Sequence, residues 1–140
     1  MSKVAVVFWS GSGNTQMMAD AVEAGAKDKG AEVNVFQASD FSADMVKDYD
    51  GIAFGCPAMG AEVLEESEFE PMFASVENSL SGKKVGLFGS YGWGDGECMR
   101  DWQNRVSGVG ANLVSDGVMA NNTPDDNALG ECRALGGYLA

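Results

Sequence analysis

The stretch Lys3-Val4-Ala5-Val6-Val7-Phe8-Trp9-Ser10-Gly11-Ser12-Gly13-Asn14-Thr15 decides the fold. Lys3–Trp9 is a continuous β-rich apolar run, as expected of a strand buried on both faces of a parallel sheet. Ser10–Thr15 is a polar turn. From Gln16 to Lys29 the residues Met17, Met18, Ala21, Val22 and Gly25 form a helical stripe, with Asp20, Glu23 and Lys27 opposite. Gly30 is placed to end that helix. A strand feeding a helix through a short turn sets the pattern that the rest of the chain repeats.

Glu32–Gln37 reads as a second strand, Ser42–Tyr49 as a short helix and Gly51–Gly55 as a third strand. Ser67 and Glu70 have capping-box spacing, opening a helix with Phe69, Met72, Phe73, Val76 and Leu80 on one face. Pro71 is acceptable in its first turn. Lys84–Gly89 is the fourth strand, and Cys98, Met99, Trp102, Val106 and Val109 mark the fourth helix. Asn112–Val118 reads as an uninterrupted fifth strand. Asp125–Leu139 is the last helix, with two aspartates at its positive end. Five strands alternating with five helices make an α/β domain with a parallel sheet. No repeat or linker divides residues 1–140, so one domain is expected.

The chain has 140 residues, 45% of them hydrophobic, within the range of ordinary globular domains. The apolar run at the start is six residues long and breaks at Ser10-Gly11, too short for a signal-peptide core. Nothing approaches a membrane span. Cys56, Cys98 and Cys132 are odd in number and sit in apolar contexts, so reduced thiols in the cytoplasm are expected. There is no histidine and no paired-cysteine spacing, which excludes His-based acid–base catalysis and argues against zinc or iron–sulfur sites. A net charge of −12 argues against nucleic acid and anionic membranes as partners.

In an open parallel sheet, ligands bind at the carboxyl ends of the strands, where strand order reverses. Three loops there are unusual. Ser10-Gly11-Ser12-Gly13-Asn14-Thr15 carries no charge, two glycines and four side chains able to hydrogen-bond. Backbone N–H groups and a helix's positive end would make it a phosphate cradle without cations. Gln16 stands where a dinucleotide fingerprint needs its third glycine, and no Gly-Lys-Ser/Thr follows as in a P-loop. The alternative is a plain turn capped by Asn14 or Ser12. The second loop, Gly55-Cys56-Pro57-Ala58-Met59-Gly60-Ala61-Glu62, holds a Met that either faces a ligand or folds back into the core. The third, Gly89-Ser90-Tyr91-Gly92-Trp93-Gly94-Asp95-Gly96, surrounds two aromatics with four glycines. Trp93 there is poorly placed for a core and well placed to stack on a planar ligand. Together the loops describe a slot with a phosphate end and a stacking end.

These three motifs, in order and over essentially the whole chain, resemble the flavin mononucleotide (FMN) loops of short-chain bacterial flavodoxins. The resemblance implies a flavodoxin-like three-layer sandwich, a five-stranded parallel sheet of order 2-1-3-4-5 with helices on both faces. It implies a low-potential one-electron carrier, not an enzyme, which binds one FMN non-covalently and substitutes for ferredoxin-type carriers. By matched position, Ser10, Gly11, Ser12, Gly13, Asn14 and Thr15 bind the phosphate. Met59 lies on the inner face of the isoalloxazine ring and Trp93 on the outer face. Glu62 accepts a hydrogen bond from flavin N3–H, and Gly60 turns its carbonyl toward a protonated N5. Pro57, Ala58, Ser90, Tyr91, Gly92 and Gly94 complete the cofactor loops.

From Asp48 to Gly82 the chain carries eight acidic residues and no Lys or Arg. Lys3, Lys27, Lys29, Lys47, Lys83, Lys84 and Arg105 fall where strands start and helices finish. Helix-dipole complementarity accounts for part of this pattern. The acidic flavin rim suits larger redox proteins with basic docking patches, the flavodoxin-dependent oxidoreductases, acting on a monomer. A small FMN-dependent reductase of quinones would need a second pocket over the flavin, and Trp93 would cover that face. A phosphoacceptor receiver domain needs carboxylates where Ser10 and Cys56 stand.

Overall fold

The computed structural model describes residues 2–9, 13–57, 67–91, 97–121 and 123–140. Its elements are β1 (Lys3–Phe8), α1 (Asn14–Asp28), β2 (Glu32–Gln37), α2 (Ala43–Val46), β3 (Gly51–Gly55), α3 (Phe69–Val76), β4 (Lys84–Tyr91), α4 (Glu97–Gly108), β5 (Asn112–Leu113), β6 (Val118–Asn121) and α5 (Asp126–Leu139). All paired strands are parallel, in the order β2-β1-β3-β4-β5, and β6 pairs with β4 beyond β5.

Alternation along the strands sorts the core into two layers. Val4, Val6 and Phe8 pack with Met18, Val22 and Ala26 of α1 and Cys132, Leu135 and Leu139 of α5. Ala5 and Val7, with Ile52, Phe54, Val85 and Leu87, face Phe69 and Phe73 of α3 and Trp102 and Val106 of α4. In the first layer the helix backbones touch. A Cβ on Gly25 would lie 1.9 Å from the carbonyl oxygen of Arg133, and one on Gly136 would lie 2.1 Å from that of Val22. In the second layer large rings fill the gap: Trp102 stands edge-on to Phe69 and Phe73, with centroids 5.4 and 5.7 Å away.

The fifth strand is interrupted, not continuous over Asn112–Val118. Leu113 is opposite Val85 and Val118 is opposite Phe88, so five steps on one strand meet three on the other. The two extra residues are taken up by a Ser115-Asp116-Gly117 turn, whose composition favours leaving the ladder. Gly117 N–H is held by Gln103 Oε1 of α4. The second helix is shorter than Ser42–Tyr49, ending at Val46. Tyr49 instead swings into an aromatic group with Phe36 and Phe41, and Asp50 accepts a 2.8 Å hydrogen bond from Lys3 N–H.

The Ser67–Glu70 capping box does not form. Glu68, not Ser67, is the N-cap of α3, and the Glu70 carboxylate goes to Arg105. Cys56 and Cys132 are buried thiols that form no disulfide, and Cys56 Sγ donates to Pro57 O at 3.4 Å. Burial pushes the Cys132 thiol up to about 12; neighbouring Glu131 adds to that and Arg133 opposes it.

Candidate functional site

The site begins where β1, β3 and β4 end side by side. Phe8 pairs with Gly55, and Gly55 with Phe88. Trp9 N–H continues the ladder to Gly55 O at 3.0 Å, and Cys56 N–H to Phe88 O at 3.1 Å. The chain leaves β1 for α1 and β2 on one side, and enters β3 on the other, so the strand order reverses between β1 and β3. That is the position at which open parallel sheets leave a crevice for ligands.

At this crevice the N-cap of α1, Gly13, sits at φ 91°, where a side chain is strained, and glycine has no side chain of its own to cap the helix. No acidic residue lies in its first turn. The contrast is α5, whose Asp125 carboxylate accepts from Ala128 N–H at 2.8 Å, with Asp126 in the first turn. The end of α5 is therefore satisfied by its own aspartates, whereas α1 has no acidic residue in its first turn to offset its positive end.

Two hydroxyls complete this end. Thr15, 1% exposed, and Ser90, 6% exposed, come from α1 and β4 and lie 3.4 Å apart. They are the buried polar residues among those described. Their mutual contact uses one proton, which leaves the other O–H to donate to a ligand oxygen. Amide donors, a helix dipole and hydroxyls fit a phosphate ester without a cation.

The predicted residues Gly13, Asn14, Thr15, Pro57, Ser90 and the backbone of Tyr91 thus follow or end β1, β3 and β4 at the carboxyl end of the sheet. Ser10, Gly11, Ser12, Ala58, Met59, Gly60, Glu62, Gly92, Trp93 and Gly94 lie outside the described residues, as do Glu65, Glu66 and Asp95 of the acidic rim.

Arg105 lies in the last turn of α4, as expected of a base where helices finish, and it is engaged by two acids. Its guanidinium grips Glu70 through two bonds of 2.7 Å and Glu77 through bonds of 2.8 and 3.1 Å. It also lies 4.9 Å from the centroid of the Phe73 ring. Hydrogen bonds to Glu70 and then Glu77 outweigh burial and raise its already high pKa, so it stays charged. Two acids of the run from Asp48 to Gly82 therefore share one cation, and the cluster keeps a net negative charge. Sequence reading missed this cluster because its members are 28 and 35 residues apart.

Fold and site define an α/β protein built to hold a phosphorylated ligand at a strand-order switch point. Residues 6–136 match the family model described as flavodoxin. The chain is 45% identical to a flavodoxin of Clostridium beijerinckii, covering 96% of this chain and 97% of that one. It is 46% identical to a flavodoxin of Megasphaera elsdenii, over 94% of this chain and 98% of that one. The solution structure of two-electron reduced Megasphaera elsdenii flavodoxin superposes with a TM-score of 0.90 at 47% identity, covering 97% of each chain. The chain belongs to the flavodoxin family, whose members are FMN-binding electron carriers and not enzymes. Flavodoxin is itself the standing example of FMN held at a β1/β3 switch point.

Proposed function

We propose that this chain seats the FMN phosphate on the amino end of α1 and the isoalloxazine ring between the 58–66 and 92–96 segments. In that place it passes single electrons between larger redox proteins that carry basic docking patches. The observation that carries the reading is the buried Thr15–Ser90 hydroxyl pair beside the positive end of α1, whose first turn holds no acidic residue. FMN supplies the one-electron chemistry when bound. Ser10 to Thr15 and Ser90 hold the phosphate, Met59 and Trp93 flank the ring, Glu62 accepts from N3–H and the Gly60 carbonyl faces N5. Pro57, Ala58, Tyr91, Gly92 and Gly94 shape the loops. The protein works in the cytoplasm as a monomer. Among the described residues no helix is long and apolar enough to cross a membrane.

Titration of the apoprotein with FMN and with riboflavin tests the phosphate seat. Two charge-assisted hydrogen bonds, at about 1.5–3 kcal/mol each, separate the two flavins by at least about 100-fold. Comparable affinities would overturn the assignment. Docking is tested by changing Glu65, Glu66 and Glu68 together to Gln. Electron transfer to a basic partner is expected to slow and to lose salt dependence. An unchanged salt slope would remove the acidic rim from recognition.

A further inference from the structure

We infer that Arg105 is a positioning residue for the isoalloxazine ring, fixing the relation between the two helices that carry the ring loops. This rests on the seat proposed above. Residues 58–66 run through Ser67 and Glu68 into α3, and residues 92–96 run directly into α4. The two helices meet through long side chains. Phe69 and Phe73 on α3 pack against Trp102 on α4, and Arg105 on α4 holds Glu70 and Glu77.

The rings and the guanidinium do different work. Apolar rings set a separation, but they permit sliding along the helix axis. A guanidinium fork bonded to both oxygens of a carboxylate fixes direction as well as distance. Glu70 lies in the first turn of α3 and Glu77 immediately follows its last residue, so one side chain grips both ends of an eight-residue helix. A helix this short has little stability of its own and takes its place from such ties. A shift of α3 along its axis would move Ser67 and Glu68, which lead into it, relative to the start of α4. The grip therefore fixes the two points at which the proposed ring segments join their helices, and leaves the phosphate end, on the other layer, untouched.

The test compares wild type with Arg105→Gln, Arg105→Lys and the milder Glu77→Gln, which leaves the Glu70 fork. Measured for each are apoprotein affinity for FMN and for riboflavin, the visible circular dichroism of the bound flavin, and the thermal shift of apoprotein by inorganic phosphate. Arg105→Gln is expected to weaken both flavins by the same three- to tenfold factor and to alter the dichroism. The phosphate shift is expected to stay unchanged. Arg105→Lys keeps the charge but not the fork and is expected to recover less than half of the loss, with Glu77→Gln between it and wild type. Lower unfolding stability with both affinities and the dichroism intact overturns the inference, as does a loss confined to FMN. Equal binding of FMN and riboflavin by wild type would instead break the phosphate reading, and a parallel loss in Arg105→Gln would still support the ring slot.

Discussion

The two layers of helix are joined to each other in opposite ways. Between α1 and α5 there is no room for a side chain at Gly25 or Gly136, and main chain lies on main chain. Between α3 and α4 the space is filled by Phe69, Phe73, Trp102 and the Arg105 fork. Backbone contact leaves no rotamer to adjust, whereas side-chain bridges can be lengthened, shortened or re-aimed by substitution. The phosphate end belongs to the first layer, since α1 opens it. The segments proposed for the ring lead in sequence into α3 and α4 of the second. A fixed anchor joined to a tunable slot is what a carrier needs when one cofactor must be held firmly and its electronics set by the protein.

If this contrast is right, the second layer fails by losing volume and the first by gaining it. The largest effect is expected for Phe73→Ala. Phe73 is fully buried, lies edge-on to Phe54 and Trp102 and supports the Arg105 guanidinium. Urea unfolding of the apoprotein is expected to show a loss of about 3–5 kcal/mol. Next comes Gly25→Ala. Its added methyl meets a backbone carbonyl that cannot rotate away, so a loss near the top of the overpacking range, about 3 kcal/mol, is expected. An apoprotein as stable as wild type after Gly25→Ala would show that the helices can separate at little cost, and the contrast would be lost.

A third effect uses pH to probe how dry the first layer is. Cys132 is 0% exposed, and burial lifts its thiol to about 12. In the unfolded chain the thiol titrates near 8.5. The folded protein therefore keeps a proton that the unfolded chain releases. Stability is expected to fall as pH rises from about 8.5 toward 12, by at most about 1.4 kcal/mol per pH unit. Between pH 8 and pH 10 this single group contributes a loss of about 2 kcal/mol. Cys132→Ala is less stable at neutral pH but is expected to show a correspondingly shallower alkaline slope. Parallel slopes for the two proteins would mean that water reaches the thiol.

Much of the architecture was legible because its signals are local. Val4, Val6 and Phe8 alternate with Ala5 and Val7, and Met18, Val22 and Gly25 mark the buried stripe of α1. Asp125 announces the start of α5 and caps it. What misled were residues whose partners are distant. Glu70 has capping-box spacing from Ser67, yet its carboxylate goes to an Arg105 that lies 35 residues away. The break in the fifth strand depends on how many residues β4 presents opposite it, a fact of register. At the site, the glycine-rich turn could be read as a phosphate cradle, while the pairing of Thr15 with Ser90 spans 75 residues and emerges only when the start of α1 meets the end of β4.

The smallest effect has the opposite sign and is the sharpest control. Gly130 lies inside α5, the same helix as Gly136, but a Cβ built on it meets nothing within 4 Å. Glycine within a helix is about 1 kcal/mol less favourable than alanine, because it gives up more backbone freedom on folding. Gly130→Ala is therefore expected to stabilise the apoprotein by up to about 1 kcal/mol and to leave FMN affinity unchanged. The gain applies equally to Gly25→Ala and Gly136→Ala, where contact with the opposing backbone reverses it. One substitution at three positions of one helix pair should thus give two losses and one gain. The gain at Gly130 measures the propensity term, and its difference from Gly136 isolates the cost of the helix–helix contact in the same α5. A loss of similar size at all three positions would mean that α1 and α5 need glycine for flexibility and not for closeness. The fixed character assigned to the phosphate side would then have to be abandoned.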